Sequence, residues 1–226
     1  MDKQKKVKKI FDSIAFRYDL LNHLLSLGLD FYWRKKALKL SSLDNNSKLL
    51  DVACGTGDFA IAAKKMGVND ITGADLSKPM LELFAQKCKW SKGKTVQMVA
   101  ENIPFNDNSF SNITVAFGVR NFYELLEGFK SFHRILRPEG KATILEFRLP
   151  SNNFIKVFYK FYFKRILPII GGLISGDKEA YKYLPSSVEE FDEKINLKEI
   201  LNSAGFSKVD CYTLTFETVQ VVIGTK

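Results

Sequence analysis

Apolar and polar residues change their spacing along this chain, and each change marks a predicted element. Near the N-terminus Val7, Ile10, Phe11 and Ile14 recur at helical spacing, and a helical pattern continues to residue 40 with a break near Gly28. From residue 48 onward, short apolar runs alternate with helical patterns. The predicted strands are 48–53, 71–75, 95–99, 112–117 and 141–147, and the predicted helices between them are 58–66, 78–89 and 123–137. This alternation predicts a doubly wound parallel sheet.

The last third of the chain departs from the alternation. The 123–137 helix is expected to stop at the Arg137-Pro138-Glu139-Gly140 segment. Residues 153–194 are predicted as helical, and a helix over 196–204 precedes two β-rich runs, 207–214 and 218–224, that are close enough to pair as an antiparallel hairpin. We therefore expect a single domain over 1–226. Its predicted parts are a helical cap (1–45), a cofactor-binding core (46–150), a helical insertion or lid (151–195) and a C-terminal helix with a β-hairpin (196–226).

The turn after the first predicted strand suggests a ligand. The strand ends near Asp51, and Gly55, Thr56 and Gly57 then lead into a helical pattern. The glycines permit positive φ and leave backbone N–H groups open to a ligand, which suits the methionine carboxylate of S-adenosylmethionine. Asp51 would lie near the ammonium and sulfonium of that molecule. The same turn also fits the dinucleotide fingerprint G-x-G-x-x-A, so both cofactor classes stay open at this point.

Two further strand ends favour S-adenosylmethionine. Asp75, followed by Leu76, ends the next strand 18 residues after Gly57, where a carboxylate accepts from both ribose hydroxyls. Both cofactor classes use such an acid, so Asp75 supports a nucleoside ligand without separating the two classes. Val99 and Ala100 open a loop at the place where adenine would lie. We therefore expect an α/β protein with the class I S-adenosylmethionine-dependent methyltransferase fold: a Rossmann-like doubly wound sheet, a C-terminal antiparallel hairpin, an N-terminal helical cap and a helical insertion.

Composition narrows the partners only a little. The formal net charge is +9, which favours nucleic acid or the anionic surface of a membrane without choosing between them. Three scattered cysteines and two histidines offer no paired spacing, so we expect neither a metal site nor a disulfide framework. The N-terminus has no signal-peptide pattern, and four cations interrupt the apolar stretch 154–174. A cytoplasmic protein without a transmembrane helix is expected.

Several longer segments carry a resemblance to a known family. The most restrictive are Phe117-Gly118-Val119-Arg120-Asn121-Phe122, Leu145-Glu146-Phe147 and Tyr181-Lys182-Tyr183-Leu184. On these the chain resembles the ubiquinone/menaquinone biosynthesis C-methyltransferase family. The resemblance implies methyl transfer to a ring carbon of a polyprenylated quinol, and cofactor contacts from Thr56, Asp75 and the pair Val99-Ala100. Val99 stands where the family usually has Asp or Asn, and the tail 215–222 lacks the usual Gly-rich ending with histidine.

Candidate catalytic residues follow the fourth predicted strand. Arg120 is expected to stabilise the phenolate of the acceptor, and Asn121 to hydrogen-bond a ring oxygen. The alternative for Arg120 is a structural ion pair with Glu146. Glu146 and His133 are weaker candidates for a general base.

The candidate acceptor pocket combines aromatic rings with a few polar atoms, as an apolar ligand with a polar head requires. Its predicted lining residues are Tyr18, Asn22, Phe117, Tyr181 and Tyr183. Ordinary packing is the alternative for all five.

The predicted insertion also bears on the partner. Its helical pattern combines aromatic residues with lysines at i, i+4 spacing, namely Phe154, Phe158, Phe161, Tyr162, Lys156, Lys160 and Lys164. This pattern predicts peripheral contact with an anionic membrane on its inner face, and the alternative is a lid with a solvated lysine edge. The acceptor ring, naphthoquinol or benzoquinol, and assembly into a homo-oligomer both stay open.

Three other functions remain as alternatives. An RNA methyltransferase would suit the charge, although the chain lacks the Asn/Asp-Pro-Pro-aromatic motif of amino-group methylation, and no nucleic acid partner is expected. A nicotinamide-dependent oxidoreductase and a non-catalytic S-adenosylmethionine-binding protein are the other two.

Overall fold

Helices precede, separate and follow the strands of one mixed β-sheet. The computed structural model describes residues 3–175 and 178–226. The α-helices are Lys3–Ile14 (α1), Tyr18–Leu25 (α2), Leu29–Leu40 (α3), Asp58–Lys65 (α4), Lys78–Lys87 (α5), Leu125–Ile135 (α6), Asn153–Phe161 (α7), Leu167–Ser175 (α8), Lys178–Lys194 (α9) and Leu197–Ser203 (α10). The strands are Lys48–Val52 (β1), Asp70–Asp75 (β2), Thr95–Gln97 (β3), Phe110–Ala116 (β4), Leu136–Phe147 (β5), Lys208–Leu214 (β6) and Val219–Thr225 (β7). A π-helical turn, Tyr162–Ile166, joins α7 to α8.

The strand order of the sheet is β3-β2-β1-β4-β5-β7-β6. The first five strands pair in parallel, and β7 pairs antiparallel with both β5 and β6. This confirms the doubly wound sheet with its C-terminal antiparallel hairpin. The strand order reverses between β1 and β4, and ligands of such sheets bind at that switch point, beyond the carboxyl ends of the strands.

Both faces of the sheet are covered, because successive side chains of its central strand lie in different cores. Leu49 packs in a cluster with Phe59 and Phe84, while Leu50 packs in a second cluster with Phe129. All five of these apolar residues are at least nine-tenths buried. A parallel strand that is buried on both faces needs a continuous apolar run, which the Leu49-Leu50 pair begins.

One predicted boundary is wrong. Helix α6 ends at Ile135 and β5 begins at once, so Arg137, Pro138 and Gly140 lie inside the strand instead of forming a helix stop. The pairing of β4 with β5 shifts register between Phe110 and Asn112. A Cβ on Gly140 would lie 2.8 Å from the Arg137 carbonyl oxygen, so glycine permits a tight bend within the strand. The Pro and Gly of this segment mark a strand irregularity.

The cap helices contact both the insertion and the C-terminal hairpin. The Tyr162 hydroxyl in the π-helical turn donates to the Leu25 carbonyl at the end of α2 over 2.7 Å. Trp33 Nε1 in α3 donates to Thr215 Oγ1 between β6 and β7 over 2.7 Å. Within residues 3–175 and 178–226, no helix has the length and apolarity that crossing a bilayer requires.

Candidate active site

Three cavities meet at Tyr18, beyond the carboxyl ends of β1 and β4. The donor cavity, about 790 Å³ including its open mouth, is lined by Asp75, Leu76, Val99 and Ala100. The acceptor cavity, about 920 Å³ on the same measure, lies between the cap and the insertion. The turn cavity, about 320 Å³, lies beside the glycine turn. Tyr18 lines all three cavities, so ligands bound in them would approach one another beside its ring.

The two glycines of the turn have different functions. Gly55 (φ +54°) borders the donor and turn cavities, and a Cβ there would meet only the Tyr18 ring at 3.6 Å. Gly57 (φ +88°) lines none of the three cavities, and a Cβ there would lie 2.1 Å from Phe84. Gly55 therefore leaves room for a ligand, whereas Gly57 lets the turn pack against the core.

Asp75 is fixed by the backbone around it. Its Oδ2 accepts from the Gly55 N–H and its Oδ1 accepts from the Ser77 N–H, each over 2.8 Å. Burial raises the pKa of this carboxyl, and the two N–H groups oppose the rise. Each oxygen keeps a further lone pair at the donor cavity, which is the acceptor geometry that ribose hydroxyls need.

Asp51 borders the turn cavity from the end of β1. Its carboxyl accepts from Thr114 Oγ1 over 2.7 Å and from the Ala60 N–H over 3.1 Å. Burial is the main cause that raises the pKa of Asp51 to about 7. A cation in the adjacent cavity would favour the ionised form.

Thr56 connects the glycine turn to the cap. Its hydroxyl donates to Asp19 of α2, whose other carboxylate oxygen lies 2.8 Å from Lys87 Nζ. The same ammonium lies 2.5 Å from Asp58 Oδ1 at the start of α4. Thr56 lines the turn cavity, and its contact with the cofactor stays a prediction.

An unpaired donor and an unpaired acceptor flank the turn cavity. Arg34 pairs with Asp30 through Nη1, but its buried Nε has no partner among the described residues. Asp58 Oδ2 is likewise buried without a hydrogen bond there, although it lies 3.6 Å from His23 Nε2 and 3.9 Å from Arg34 Nη2. An α-amino acid group offers a carboxylate to the first atom and an ammonium to the second. These residues therefore fit the amino acid end of S-adenosylmethionine, and the donor cavity fits its adenosine.

The same region contains a cluster of potential metal ligands. Ligand atoms of His23, Asp30 and Asp58 lie within 4.8 Å of one another. The Arg34 guanidinium already contacts both carboxylates, and Lys87 contacts Asp58. Because two cations neutralise these acids, we describe the cluster as an ion-pair network.

Arg120 lines the acceptor cavity and also takes part in a buried ion pair. Its Nη1 lies 2.8 Å from Glu146 Oε1 and also donates to the Phe117 carbonyl, and its Nε donates to Ser187 Oγ over 3.3 Å. Burial raises the pKa of the Glu146 carboxyl, and the guanidinium opposes this rise. The sequence offered two alternatives for Arg120, a structural ion pair with Glu146 or a place at the acceptor. In the structure Arg120 has both the ion pair and a place in the wall of the acceptor cavity.

Phe117 separates the donor and acceptor cavities and lines both. It directly follows β4 with φ +57°, a conformation that non-glycine residues rarely adopt and that concentrates at functional sites. Its N–H donates to the Leu145 carbonyl over 2.7 Å, and its ring stacks on Phe147 at 4.4 Å. These contacts hold the strained residue between the two cavities.

The remaining predicted residues fall on both sides of this boundary. Asn121 lines the donor cavity, and its Oδ1 accepts from the Tyr183 hydroxyl over 2.8 Å. Tyr183 and Asn22 line the acceptor cavity. The side chain of Tyr181 lies outside the described residues. His133 lines none of the three cavities, since its ring packs on Phe206 at 5.4 Å between α6 and the C-terminal segment.

The acceptor cavity is also lined by residues that were not predicted, among them Asp30, Trp33, Arg34 and Tyr159. The sequence analysis assigned no function to the Trp33-Arg34 pair in α3. Asp30 and Arg34 are both buried in the structure. Buried charged residues are usually paired, and the only sequence signal of this pair was its opposite charges four residues apart in a helical pattern. Tyr159 lies in a helix with several aromatic residues, and nothing in the sequence separates it from its neighbours.

Comparison with known proteins places the chain in a family. A family model described as the ubiE/COQ5 methyltransferase family matches residues 1–226. The chain belongs to this family. It is therefore an enzyme, a methyltransferase that uses S-adenosylmethionine, as the sequence predicted. The alternatives of a nicotinamide-dependent oxidoreductase and a non-catalytic binding protein are not supported.

Curated relatives of the methyltransferase span almost its whole length. A protein named demethylmenaquinone methyltransferase from Chlorobaculum tepidum is 44% identical over 224 residues, covering 97% of this chain and 92% of the relative. The ubiquinone/menaquinone biosynthesis C-methyltransferase UbiE of Geotalea uraniireducens is 44% identical over 231 residues, covering 100% of this chain and 98% of the relative. The demethylmenaquinone methyltransferase of Thermus thermophilus is 39% identical, covering 96% and 100%.

Solved structures share the fold of the methyltransferase at low identity. A SAM-dependent methyltransferase from Thermotoga maritima superposes with a TM-score of 0.65 at 16% identity, covering 96% of this chain and 99% of its own. A phosphoethanolamine N-methyltransferase from Haemonchus contortus, solved with S-adenosyl-L-methionine, has a TM-score of 0.60 at 16% identity and covers 85% and 52%. These likenesses confirm the predicted class I fold.

Proposed function

We propose that this methyltransferase transfers a methyl group to a ring carbon of a polyprenylated quinol. The observation that carries the proposal is the aromatic acceptor cavity of about 920 Å³, which meets the donor cavity at Tyr18. A cavity of this size and lining suits a fused or substituted ring with an apolar tail. The names of the relatives, demethylmenaquinone methyltransferase and ubiquinone/menaquinone biosynthesis C-methyltransferase, support the same substrate class.

The residues at the boundary orient the acceptor and exclude water. S-adenosylmethionine, when bound, supplies a methyl group activated by a sulfonium. Phe117, Phe147 and Trp33 surround the ring position with apolar surface, so a ring carbon can approach without competing water. Tyr18, which borders both cavities, keeps the two reactants in contact.

Arg120 stabilises negative charge on a ring oxygen of the acceptor. An arginine stays protonated, so it acts through charge and hydrogen bonding and not as a general base. Because Glu146 lies 2.8 Å from its Nη1, the pair carries little net charge, and Arg120 acts chiefly as an oriented hydrogen-bond donor. Asn121, held by the Tyr183 hydroxyl, is the proposed partner of a second polar atom at the boundary.

A direct assay tests this function. Purified protein is incubated with S-adenosylmethionine and a chemically reduced, short-tailed demethylmenaquinol, with the corresponding benzoquinol in a parallel reaction. We expect a product heavier by one methylene group, with fragmentation that places the new methyl on a ring carbon. A folded preparation that retains the cofactor but methylates neither quinol would refute the proposal. Total RNA as acceptor, in a third reaction, tests the RNA methyltransferase alternative.

We also propose that the enzyme contacts the inner face of an anionic membrane. The α7 side chains Phe154, Val157, Phe158 and Phe161 are 73%, 67%, 59% and 58% exposed and share one helical face. A second exposed apolar stripe runs along the cap through Phe16, Leu20, Leu24 and Leu27. The same two segments line the acceptor cavity through Tyr159 and Leu25, so a prenyl tail could pass from the bilayer into the cavity.

The lysines contribute less to this surface than the sequence predicted. Lys160 and Lys164 lie 2.5 Å and 2.7 Å from the carboxylate oxygens of Glu189, which neutralises part of their charge. Exposed apolar area is therefore the main proposed contribution to membrane binding, with the net charge of +9 adding a general attraction.

Flotation with vesicles tests the membrane contact. We expect the wild type to float with vesicles that contain anionic lipid, and the double variant Phe154→Ser/Phe158→Ser to float much less. Tyr212→Ser, which removes an exposed aromatic residue from the edge strand β6, is the matched control and should float like the wild type. Equal flotation of all three proteins would contradict the assignment of α7.

A further inference from the structure

The hydroxyl of Tyr159 is buried without a hydrogen-bond partner among the described residues. Tyr159 lies in α7, its ring stacks on Phe163 at 4.2 Å, and its side chain lines the acceptor cavity. A buried polar group in this situation costs roughly 1–3 kcal/mol relative to a satisfied one. Native proteins keep few such groups, and each one calls for a physical reason.

Tyr162, one helical turn further along, shows the usual arrangement. Its hydroxyl donates to the Leu25 carbonyl over 2.7 Å and ties the insertion to the cap. The two tyrosines lie three residues apart in the same helical segment. The Tyr162 hydroxyl therefore stabilises the fold, whereas the Tyr159 hydroxyl makes no hydrogen bond that would do so.

The charges near the Tyr159 hydroxyl indicate what it would bind. Among the described residues, the Arg120 guanidinium acts on it electrostatically, and so do the carboxylates of Glu146 and Asp192. Burial raises the pKa of Tyr159, so its hydroxyl stays protonated and is available as a donor at neutral pH. Tyr159 and Arg120 both line the acceptor cavity, whose other described walls are mainly apolar. Two donors beside aromatic walls form a site for one electron-rich oxygen on a ring.

We propose that the Tyr159 hydroxyl donates a hydrogen bond to the ring oxygen of the acceptor that Arg120 also contacts. This inference rests on the proposed function. When the acceptor hydroxyl ionises, its O–H bond breaks, the electron pair stays on oxygen and the proton passes to solvent water. The Tyr159 hydroxyl and the Arg120 guanidinium then share the charge on that oxygen, which makes the adjacent ring carbon the better nucleophile.

The test compares Tyr159→Phe with the matched control Tyr162→Phe. Removing an unsatisfied hydroxyl leaves stability unchanged or raises it, whereas removing the Tyr162 hydroxyl breaks a hydrogen bond and lowers stability. We expect Tyr159→Phe to lower kcat/KM for the quinol by about 10–100-fold with unchanged affinity for S-adenosylhomocysteine. The pH at which its activity rises should also move upward, because the phenolate is less stabilised. Tyr162→Phe should keep the wild-type pH profile and most of its turnover.

A binding measurement keeps this inference separate from the proposed function. Menadiol, as a ring without a prenyl tail, is titrated into the wild type and both variants under reducing conditions. Weaker binding to Tyr159→Phe alone supports the assignment even if the wild type methylates no quinol, a result that would overturn only the proposed function. Tyr159→Phe that binds menadiol and turns over like the wild type overturns the assignment of the hydroxyl.

Discussion

Arg120 Nη1 lies 2.8 Å from Glu146 Oε1 in a place where both side chains are at least nine-tenths buried. Removing one partner of such a pair leaves an uncompensated charge, which typically costs about 3–5 kcal/mol, whereas replacing both with apolar residues is often neutral. Loss of activity in a single variant would therefore mix catalysis with stability.

The first prediction separates these two effects. Arg120→Ala should abolish most quinol turnover and also lower the free energy of unfolding. The double variant Arg120→Met/Glu146→Leu should recover much of that stability yet remain inactive, with wild-type affinity for S-adenosylhomocysteine. Urea denaturation and turnover are measured on all three proteins. A stable double variant with substantial activity would show that Arg120 acts only through the fold.

The second prediction concerns pH. The pKa of Asp51 is raised by burial from its ordinary 3.8 to about 7, so the folded state binds a proton more tightly than the unfolded state. The stability from this group is full below the ordinary value and is lost as pH rises through 7. Without cofactor, the unfolding free energy of the wild type should fall over this interval more than that of Asp51→Asn.

Cofactor binding should weaken this pH dependence. The ammonium and sulfonium of S-adenosylmethionine favour ionised Asp51, so below about pH 7 binding should release a proton from it. Calorimetry in two buffers of different ionisation enthalpy measures that proton. Asp51→Asn provides the baseline for any proton released by the ligand itself, and equal release by both proteins would contradict the prediction.

The third prediction tests the packing function of Gly57. A Cβ at Gly57 meets Phe84 at 2.1 Å, whereas a Cβ at Gly67 meets nothing within 4 Å, and both residues have positive φ, +88° and +99°. Gly67→Ala should therefore report the backbone cost alone, about 1–2 kcal/mol. Gly57→Ala should cost clearly more in urea denaturation. Similar costs at both sites would mean that the glycine turn moves freely away from Phe84.

The fourth prediction concerns the amino acid end of the cofactor. Arg34→Met removes the unpaired Nε beside the turn cavity. We expect weaker binding of S-adenosylhomocysteine, by roughly tenfold for the loss of about 1.4 kcal/mol. Methylthioadenosine lacks the amino acid group, so its affinity should not change. An equal loss for both ligands, measured by calorimetry, would indicate general damage to the site instead.

The strand ends of the donor site were predictable because parallel strands finish at one edge of a sheet. Asp75 and the Val99-Ala100 pair therefore had to converge once their strands were recognised, and the structure places all three residues in the donor cavity. The extra length of β5 was not predictable in the same way. Pro138 and Gly140 end helices and also mark irregular strands, and the choice depends on pairing with β4.

The acceptor side was less predictable because it depends on contacts between distant segments. Arg120 and Glu146 are 26 residues apart, and the sequence offered their pairing only as an alternative to catalysis. Tyr159 and Tyr162 look equivalent in the sequence, and only the position of Leu25 distinguishes their hydroxyls. The function proposed for Tyr159 depends on which polar atoms the fold leaves unsatisfied, and no local sequence pattern contains that information.

Helix α1 forms part of the wall of both large cavities. Val7 and Lys8 line the donor side, Ile10 and Ile14 line the acceptor side, and Phe11 lines both. A displacement of this helix would therefore open both cavities together. We therefore expect exchange of spent cofactor and of methylated product to be coupled through this N-terminal helix, and a fluorescent label on its outer surface should then report both events with a shared rate constant.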